Sequence, residues 1–261
     1  MSAVLRAGDL PARLDVGEAS IEVSFDSDPF DLGQAALLDW VMQSARAATS
    51  YFGRFPVTHA RVHLVLSRGG RISTGVSFRD GGARCRITVG QHVTLADLDD
   101  DWVLAHEMIH FGFPSVEERH HWIEEGIATY VEPIARAQVG RLTPERVWRE
   151  MVDGMPQGLP ATGDQGLDNT HTWGRTYWGS ALFCLLADIE IRKQTGMPKV
   201  SRMRCGPSTA RAGRLRPTGR LSVSSRSATK RRMVKCWSSF IARWLRSLFP
   251  WICSICGSNW A

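Results

Sequence analysis

The chain has 261 residues, of which 43% are hydrophobic and 22% charged, so it is long enough to bury a sizeable core in one or two domains. Its net charge of +6 is unevenly distributed. Residues 200–261 hold 13 Lys and Arg without any Asp or Glu, whereas residues 1–199 hold 19 basic and 26 acidic residues, a net of −7. No stretch approaches the roughly 20 apolar residues of a membrane span. We therefore expect an acidic globular domain over residues 1–199 and a basic tail over residues 200–261.

The N-terminus and the cysteines bear on the cellular compartment. Residues 1–12 contain acid and proline but no apolar run, so the sequence predicts a cytoplasmic protein without a secretory signal, although removal of a signal would leave the same N-terminus. Cys85 and Cys184 are isolated in apolar surroundings, which indicates reduced core residues and not a disulfide framework.

The first hundred residues predict a small sheet and one long helix. Apolar residues recur at helical spacing from 34 to 52, where proline is absent. Alternation of apolar and polar residues predicts strands at 21–25, 61–67 and 84–89. Glycine pairs at 69–70 and 81–82 bracket a segment that suits the edge of a hairpin.

Helices dominate the predictions for the next hundred residues. An acidic run precedes a helical pattern at 102–111, as the positive end of a helix dipole favours. A second helix is predicted at 117–137, where Pro133 should end or kink it. Residues 155–171 are rich in Gly, Pro and Asp, which indicates a loop. The last two helices are predicted from 143 to about 152 and from 177 to 193.

A His-Glu-x-x-His string at positions 106–110 is the strongest chemical signal in the chain. Histidines four apart lie on one face of a helix, so the imidazoles of His106 and His110 can reach one metal ion. Glu107 then lies beside the metal, where a base is needed to take a proton from water. Two buried neutral imidazoles would otherwise need hydrogen-bond partners, so a zinc site is the simplest interpretation.

A second segment, residues 122–130, offers the carboxylate that would complete the zinc site. The residues alone leave Glu124 and Glu125 open as the third ligand. The segment resembles gluzincin peptidases of the aminopeptidase N-like and glycyl-aminopeptidase-like families, which carry a Trp-Leu-x-Glu-Gly-Phe-Ala-x-Tyr pattern. This resemblance assigns the ligand role to Glu125. The positions that match the pattern are Trp122, Ile123, Glu125, Gly126, Ala128 and Tyr130.

A third match begins at Tyr177. Glycyl-aminopeptidase-like enzymes have a Tyr-x-Lys-Gly-Ala-Leu pattern whose tyrosine donates a hydrogen bond to the oxyanion, and the resemblance implies that role for Tyr177. Gly179 and Ser180 depart from this pattern. His171 and Arg175 precede Tyr177 and are candidates either for substrate contact or for surface polar residues. His120 and His121 are expected to be exposed.

The family resemblance covers roughly residues 99–196 and implies an α+β, thermolysin-like zincin domain with a small N-terminal sheet and a helical half. The implied activity is hydrolysis of peptide bonds in a peptide or protein substrate, with Zn²⁺ held by His106, His110 and Glu125. The Gly-x-Met-Glu-Asn element that binds a free amine in aminopeptidase N-like enzymes is absent, which argues against exopeptidase activity. Residues 69–78 then supply only an edge strand for main-chain pairing.

The basic tail admits three interpretations. It could bind nucleic acid or anionic lipid, with an apolar stripe between residues 237 and 248 lying on a membrane surface. It could be a disordered extension. We favour translation of a shifted reading frame, because one set of codons for residues 240–261, read two bases later, gives acids, an apolar pattern and a closing glycine.

Two functions follow from these interpretations. The favoured one is a zinc metallopeptidase, for which we expect no nucleic-acid partner. The alternative is a catalytically inactive zinc-binding domain whose basic tail binds membrane surface or nucleic acid.

Overall fold

The computed structural model describes residues 11–195 except Ser27, Asp28, Arg79 and Pro114. The chain divides into two compact units, residues 1–187 and residues 188–261, and every site residue discussed below belongs to the first unit. The predictions for the tail at 200–261 lie outside the described residues.

Five strands form one mixed sheet. They are β1 (Ala12–Val16), β2 (Ala19–Phe25), β3 (His59–Ser67), β4 (Ile72–Phe78) and β5 (Ala83–Gly90). The order across the sheet is β1-β2-β3-β5-β4, with β2, β3 and β5 parallel and the two outer strands antiparallel to their neighbours. The three predicted strands are confirmed, whereas β1, which has only five residues, was not predicted. Strand β4 lies at an edge.

Six α-helices are described. They are α1 (Gln34–Phe52), α2 (Leu95–Asp100), α3 (Val103–His110), α4 (His121–Gln138), α5 (Pro144–Gly154) and α6 (Ser180–Thr195). A π-helix at Arg175–Gly179 leads directly into α6, and a 3-10 turn at Met155–Gly158 interrupts the predicted loop. Among these described helices, none is both long and apolar enough to cross a bilayer.

Helix α4 continues through Pro133 to Gln138 instead of ending at the proline. A proline inside a helix removes one hydrogen bond and costs about 3 kcal/mol. Beyond it, Ile134 and Ala135 are buried, and Arg136 forms an ion pair of 2.9 Å with Glu132 across one helical turn. This burial on both sides of Pro133 holds the last turn in the helix.

The core lies between one face of the sheet and the helices. Alternate residues of β2, β3 and β5 point into it and are fully buried, namely Ile21, Val23, Val62, Leu64, Ile87 and Val89. Helix α3 packs against α1, α4 and the two strands β4 and β5, and all eight of its residues are buried. Cys85 and Cys184 are buried free thiols, as predicted. The mixed sheet with helices confirms an α+β fold and places the His-Glu-x-x-His helix in the interior.

Candidate metal centre

Helix α3 brings two imidazoles together. The Asp101 carboxylate accepts the backbone N–H groups of Val103 and Leu104 at 3.0 and 3.1 Å, which caps the first turn of the helix. The four-residue spacing then places the ring centroids of His106 and His110 4.9 Å apart. Both rings are buried, because they lie on the side of α3 that faces α4.

Helix α4 supplies a carboxylate to these imidazoles. The Oε2 atom of Glu125 lies 3.0 Å from Nε2 of His106 and 3.7 Å from Nε2 of His110. The three side chains offer one ligand atom each, all within 4.8 Å of one another. Glu124 points elsewhere, since its Oε1 accepts the backbone N–H of Val116. The geometry therefore brings Glu125, and not Glu124, to the two imidazoles.

This donor set fits zinc. Two imidazole nitrogens and one carboxylate oxygen are ligands that catalytic zinc sites use, and a tetrahedral ion with bonds of about 2.0–2.1 Å separates its ligand atoms by about 3.4 Å. The two nitrogen–oxygen distances, 3.0 and 3.7 Å, bracket that separation. The Nδ1 atom of His106 is buried without a hydrogen-bond partner among the described residues. The other nitrogen of the same ring, Nε2, is the one that faces the carboxylate of Glu125. His106, His110 and Glu125 could hold the metal together.

The charge of Glu125 is stabilised by three imidazoles. Burial acts to raise its pKa, but hydrogen bonds with His106, His110 and His121 hold the pKa well below its usual range. The third imidazole comes from the first residue of α4, where Nε2 of His121 lies 3.0 Å from Oε1 of Glu125. The carboxylate is thus ionised, as a metal ligand must be. His121 is exposed, as predicted, but its contact with Glu125 was not foreseen.

Strand β4 contacts Glu107 from the edge of the sheet. The Ser77 hydroxyl donates to the backbone oxygen of Glu107 at 2.9 Å and also contacts Oε2 of its carboxylate. A Cβ atom at Gly75 would lie 2.6 Å from Cγ of Glu107 and 2.7 Å from Oε1. Any side chain at position 75 would therefore displace Glu107. Together the two residues fix the orientation of this buried carboxylate.

Tyr177 approaches the centre from the π-helix. Its ring lies 6.0 Å from that of His106. Burial raises the pKa of the phenol, and the charges of Glu125 and Glu107 and a hydrogen bond to Glu125 raise it further. The phenol therefore stays protonated at neutral pH and can donate a hydrogen bond. One-turn π-helices are frequent at functional sites, because the extra residue changes the direction of a side chain.

Close backbone contacts place the π-helix against α4. Gly126, next to Glu125, packs on Ser180, and a Cβ atom at position 126 would lie 2.2 Å from the Cβ of Ser180. From the other side, a Cβ atom at Gly158 would lie 2.0 Å from the backbone nitrogen of Gly179. Side chains at these glycines would push the segment that carries Tyr177 away from the candidate metal centre.

The segment 155–171 is tied to the centre by two buried or partly buried carboxylates. Arg175 forms an ion pair of 2.6 Å with Asp164 and also donates to the carbonyl of Gly158, so it is structural and not free for substrate. Asp168 accepts from Nε1 of Trp122 at 2.6 Å and pairs with Nδ1 of His120 at 2.7 Å. His120 is therefore only partly exposed, contrary to the prediction.

Sequence reasoning missed Gly75, Ser77 and Asp168. Each contacts a site residue that lies at least 30 positions away in the chain, and none belongs to a motif with recognisable spacing. Gly126 had a signal, because it follows Glu125 in the family pattern. His171 is exposed.

Comparisons with known proteins bear on the fold. No family model matches the sequence, and no curated protein matches it. An aminopeptidase N family protein from Idiomarina loihiensis has a similar structure, with a TM-score of 0.52 and 12% identity over 71% of this chain and 38% of that protein. The comparison with an M1 zinc metallopeptidase from Deinococcus radiodurans has a TM-score of 0.44 and 16% sequence identity, over 72% of this chain and 40% of that protein. The chain thus spans about two fifths of their length. At this identity the first likeness shows a shared fold.

Proposed function

We propose that this protein is a zinc-dependent metallopeptidase of the gluzincin type, with a thermolysin-like catalytic domain over residues 1–199. The observation that carries the proposal is the buried cluster of His106, His110 and Glu125, whose ligand atoms lie within 4.8 Å of one another. Glu107 lies on the same helix as the two histidines, and the ring of Tyr177 lies 6.0 Å from that of His106. A ligand set, a base and a phenol donor in one place match the parts that peptide hydrolysis by zinc requires.

The three ligands would hold the metal, and Glu107 would move the proton. Zinc bound there would polarise the scissile carbonyl and acidify the attacking water. A carboxylate oxygen of Glu107 accepts the proton of that water and then delivers it to the nitrogen of the leaving amine. Ser77 and Gly75 support this transfer, because they keep the carboxylate of Glu107 in one orientation.

Tyr177 and strand β4 would contact the substrate. The protonated phenol of Tyr177 donates a hydrogen bond to the oxygen that becomes negative when water attacks the carbonyl. Strand β4 is an edge of the sheet and lies against Glu107, so an extended peptide that pairs with β4 places its scissile bond beside the base. We also propose that residues 200–261 take no part in the reaction.

The test replaces Glu107 by Gln. The purified Glu107→Gln variant should retain one zinc per chain, measured by atomic emission, and its hydrolysis of a quenched fluorescent peptide mixture should fall by about 10²–10⁴-fold, because a general base contributes that factor. Glu18→Gln, in the exposed β1–β2 turn, is the matched control and should change neither value. Full activity of Glu107→Gln would refute the mechanism.

The measurement of zinc content also distinguishes Glu125, the proposed ligand, from its neighbour Glu124. Glu125→Gln should lower zinc affinity by two orders of magnitude or more, because a neutral amide replaces a charged ligand, whereas Glu124→Gln should keep the metal. Equal zinc content in both variants would contradict the ligand assignment.

A further inference from the structure

A row of aromatic rings borders the candidate metal centre on its exposed side. The Trp102 ring meets the edge of His106 at a centroid distance of 5.4 Å. On the other side of the centre, the Trp173 ring stacks on Tyr177 at 5.7 Å, and Tyr177 in turn lies 6.0 Å from His106. We call Trp102, Tyr177 and Trp173 the aromatic wall.

The two indoles are exposed, although Trp102 touches the buried His106 and Trp173 touches the half-buried Tyr177. Trp102 is 44% exposed and Trp173 is 56% exposed. Single exposed aromatic residues are common, and Trp148 on α5, at 40%, is an example in this chain. The wall differs because its rings form a continuous row across one metal ligand. Apolar and aromatic linings of this kind, with a few convergent polar groups, are typical of ligand sites.

The basic residue beside the wall in the sequence is not free to bind an acidic ligand. Arg175 is held by Asp164 and by the carbonyl of Gly158. A substrate carboxylate beside the wall therefore gains no ion pair from it.

A cationic ligand gains less there than an aromatic one. An exposed cation–π contact is weak and requires a strongly hydrated ammonium group to lose water. An aromatic side chain gains both the burial of its apolar area and ring stacking.

We propose that the aromatic wall is a specificity subsite that binds a large apolar side chain, with aromatic side chains preferred, next to the scissile bond of a peptide. This inference rests on the proposed peptidase function and names its substrate class. Trp173 is the cleaner residue to test, because it contacts Tyr177 and not a metal ligand.

The experiment measures binding separately from hydrolysis. Blocked peptides (acetylated and amidated) that differ at one central position, Phe, Ala, Lys or Glu, are titrated into the zinc-loaded Glu107→Gln full chain, and binding is followed by calorimetry. The Phe peptide should bind about tenfold more tightly than the Ala peptide, and the charged Lys and Glu peptides should bind no more tightly than the Ala peptide. Hydrolysis of the same peptides by the unmodified chain should follow the same order.

The matched variants are made in the same background. Trp173→Ala should reduce the Phe/Ala ratio to about 2 or less at unchanged zinc content, Trp102→Ala should act in the same direction, and Trp148→Ala should leave the ratio unchanged. Equal binding of the Phe and Ala peptides, tightest binding of the Lys or Glu peptide, or a ratio that survives both wall variants would overturn the subsite. If the Phe preference is found without hydrolysis, the subsite stands and the peptidase proposal fails. If hydrolysis is found without the Phe preference, the peptidase proposal stands and the subsite fails.

Discussion

Replacing Gly126 by alanine tests whether the distance between α4 and the π-helix controls the centre. A Cβ atom at this buried position would lie 2.2 Å from Cβ, 2.8 Å from the carbonyl carbon and 3.0 Å from Cα of Ser180. Two of these three atoms belong to the backbone, so no side-chain rotation relieves the contact. Carbon atoms approach to about 3.5–4.0 Å in packed interiors. The two segments must separate by on the order of 1 Å.

Two opposing effects decide the stability of Gly126→Ala. Alanine is favoured over glycine in a helix by about 1 kcal/mol. Overpacking a core costs about 1–3 kcal/mol, and a clash against backbone belongs at the upper end of that range. The clash therefore wins, with a net loss of about 2 kcal/mol. For a domain of this size that loss lowers Tm by about 4–8 °C. Because Glu125 and Tyr177 lie on the two segments that separate, activity should fall by about 10²-fold.

The measurements are the thermal unfolding of the metal-free protein and kcat/KM of the zinc-loaded protein. Adding Ser180→Gly to Gly126→Ala removes the shortest of the three contacts and should recover part of both losses. The Ser180→Gly chain alone serves as the control for the loss of the serine hydroxyl, which donates to the carbonyls of Arg175 and Thr176. A Gly126→Ala protein with higher Tm and full activity would refute the reasoning, since helix propensity would then have outweighed the clash.

Three further predictions follow from the described contacts. Burial raises the pKa of Asp101 to about 6 against the opposing backbone hydrogen bonds of α3, so the folded state holds a proton that the unfolded state releases near pH 4. Stability should fall by up to about 3 kcal/mol as pH rises from 4 through 6, and Asp101→Asn should lose this dependence in urea unfolding measured across that range. Ser77→Ala should lower kcat about tenfold at unchanged KM and zinc content, because it frees Glu107 to rotate, and Ser77→Thr should restore most of it. A chain that ends at Lys199 should keep its zinc and its Glu107-dependent activity. It should no longer be retained on a cation exchanger, since its net charge becomes −7. Loss of zinc from this shortened chain would show that the tail supports the centre.

Local patterns predicted most of the elements that carry the centre. The helix of residues 34–52 was predicted within its described bounds, because nineteen residues without proline leave no ambiguity in period. The four-residue spacing of His106 and His110 placed both rings on one face of α3. The sequence could not choose Glu125 over Glu124 by spacing, and the choice came from the family pattern. In the structure it is Glu125 whose carboxylate lies beside the two imidazoles.

Contacts between residues that lie far apart in the chain could not be predicted from the sequence. The alternating pattern of β4 does not show that Gly75 and Ser77 face Glu107, since that requires the strand order β5-β4 and the position of α3. The sequence left Arg175 open between a substrate contact and a surface polar residue, because it does not show the partner of the guanidinium. Asp164, its partner in the ion pair, lies in a segment without periodicity.

The buried charges of the centre are better explained by function than by stability. Glu125, His106 and His110 occupy interior positions between α3 and α4 that apolar side chains could fill. Replacing buried ionic groups by apolar residues of similar volume is often neutral or stabilising, because desolvation consumes the Coulombic gain. Binding of a metal ion would explain why these groups are buried together, because the ionised carboxylate and the two Nε2 atoms already lie at distances that suit the ligands of one ion.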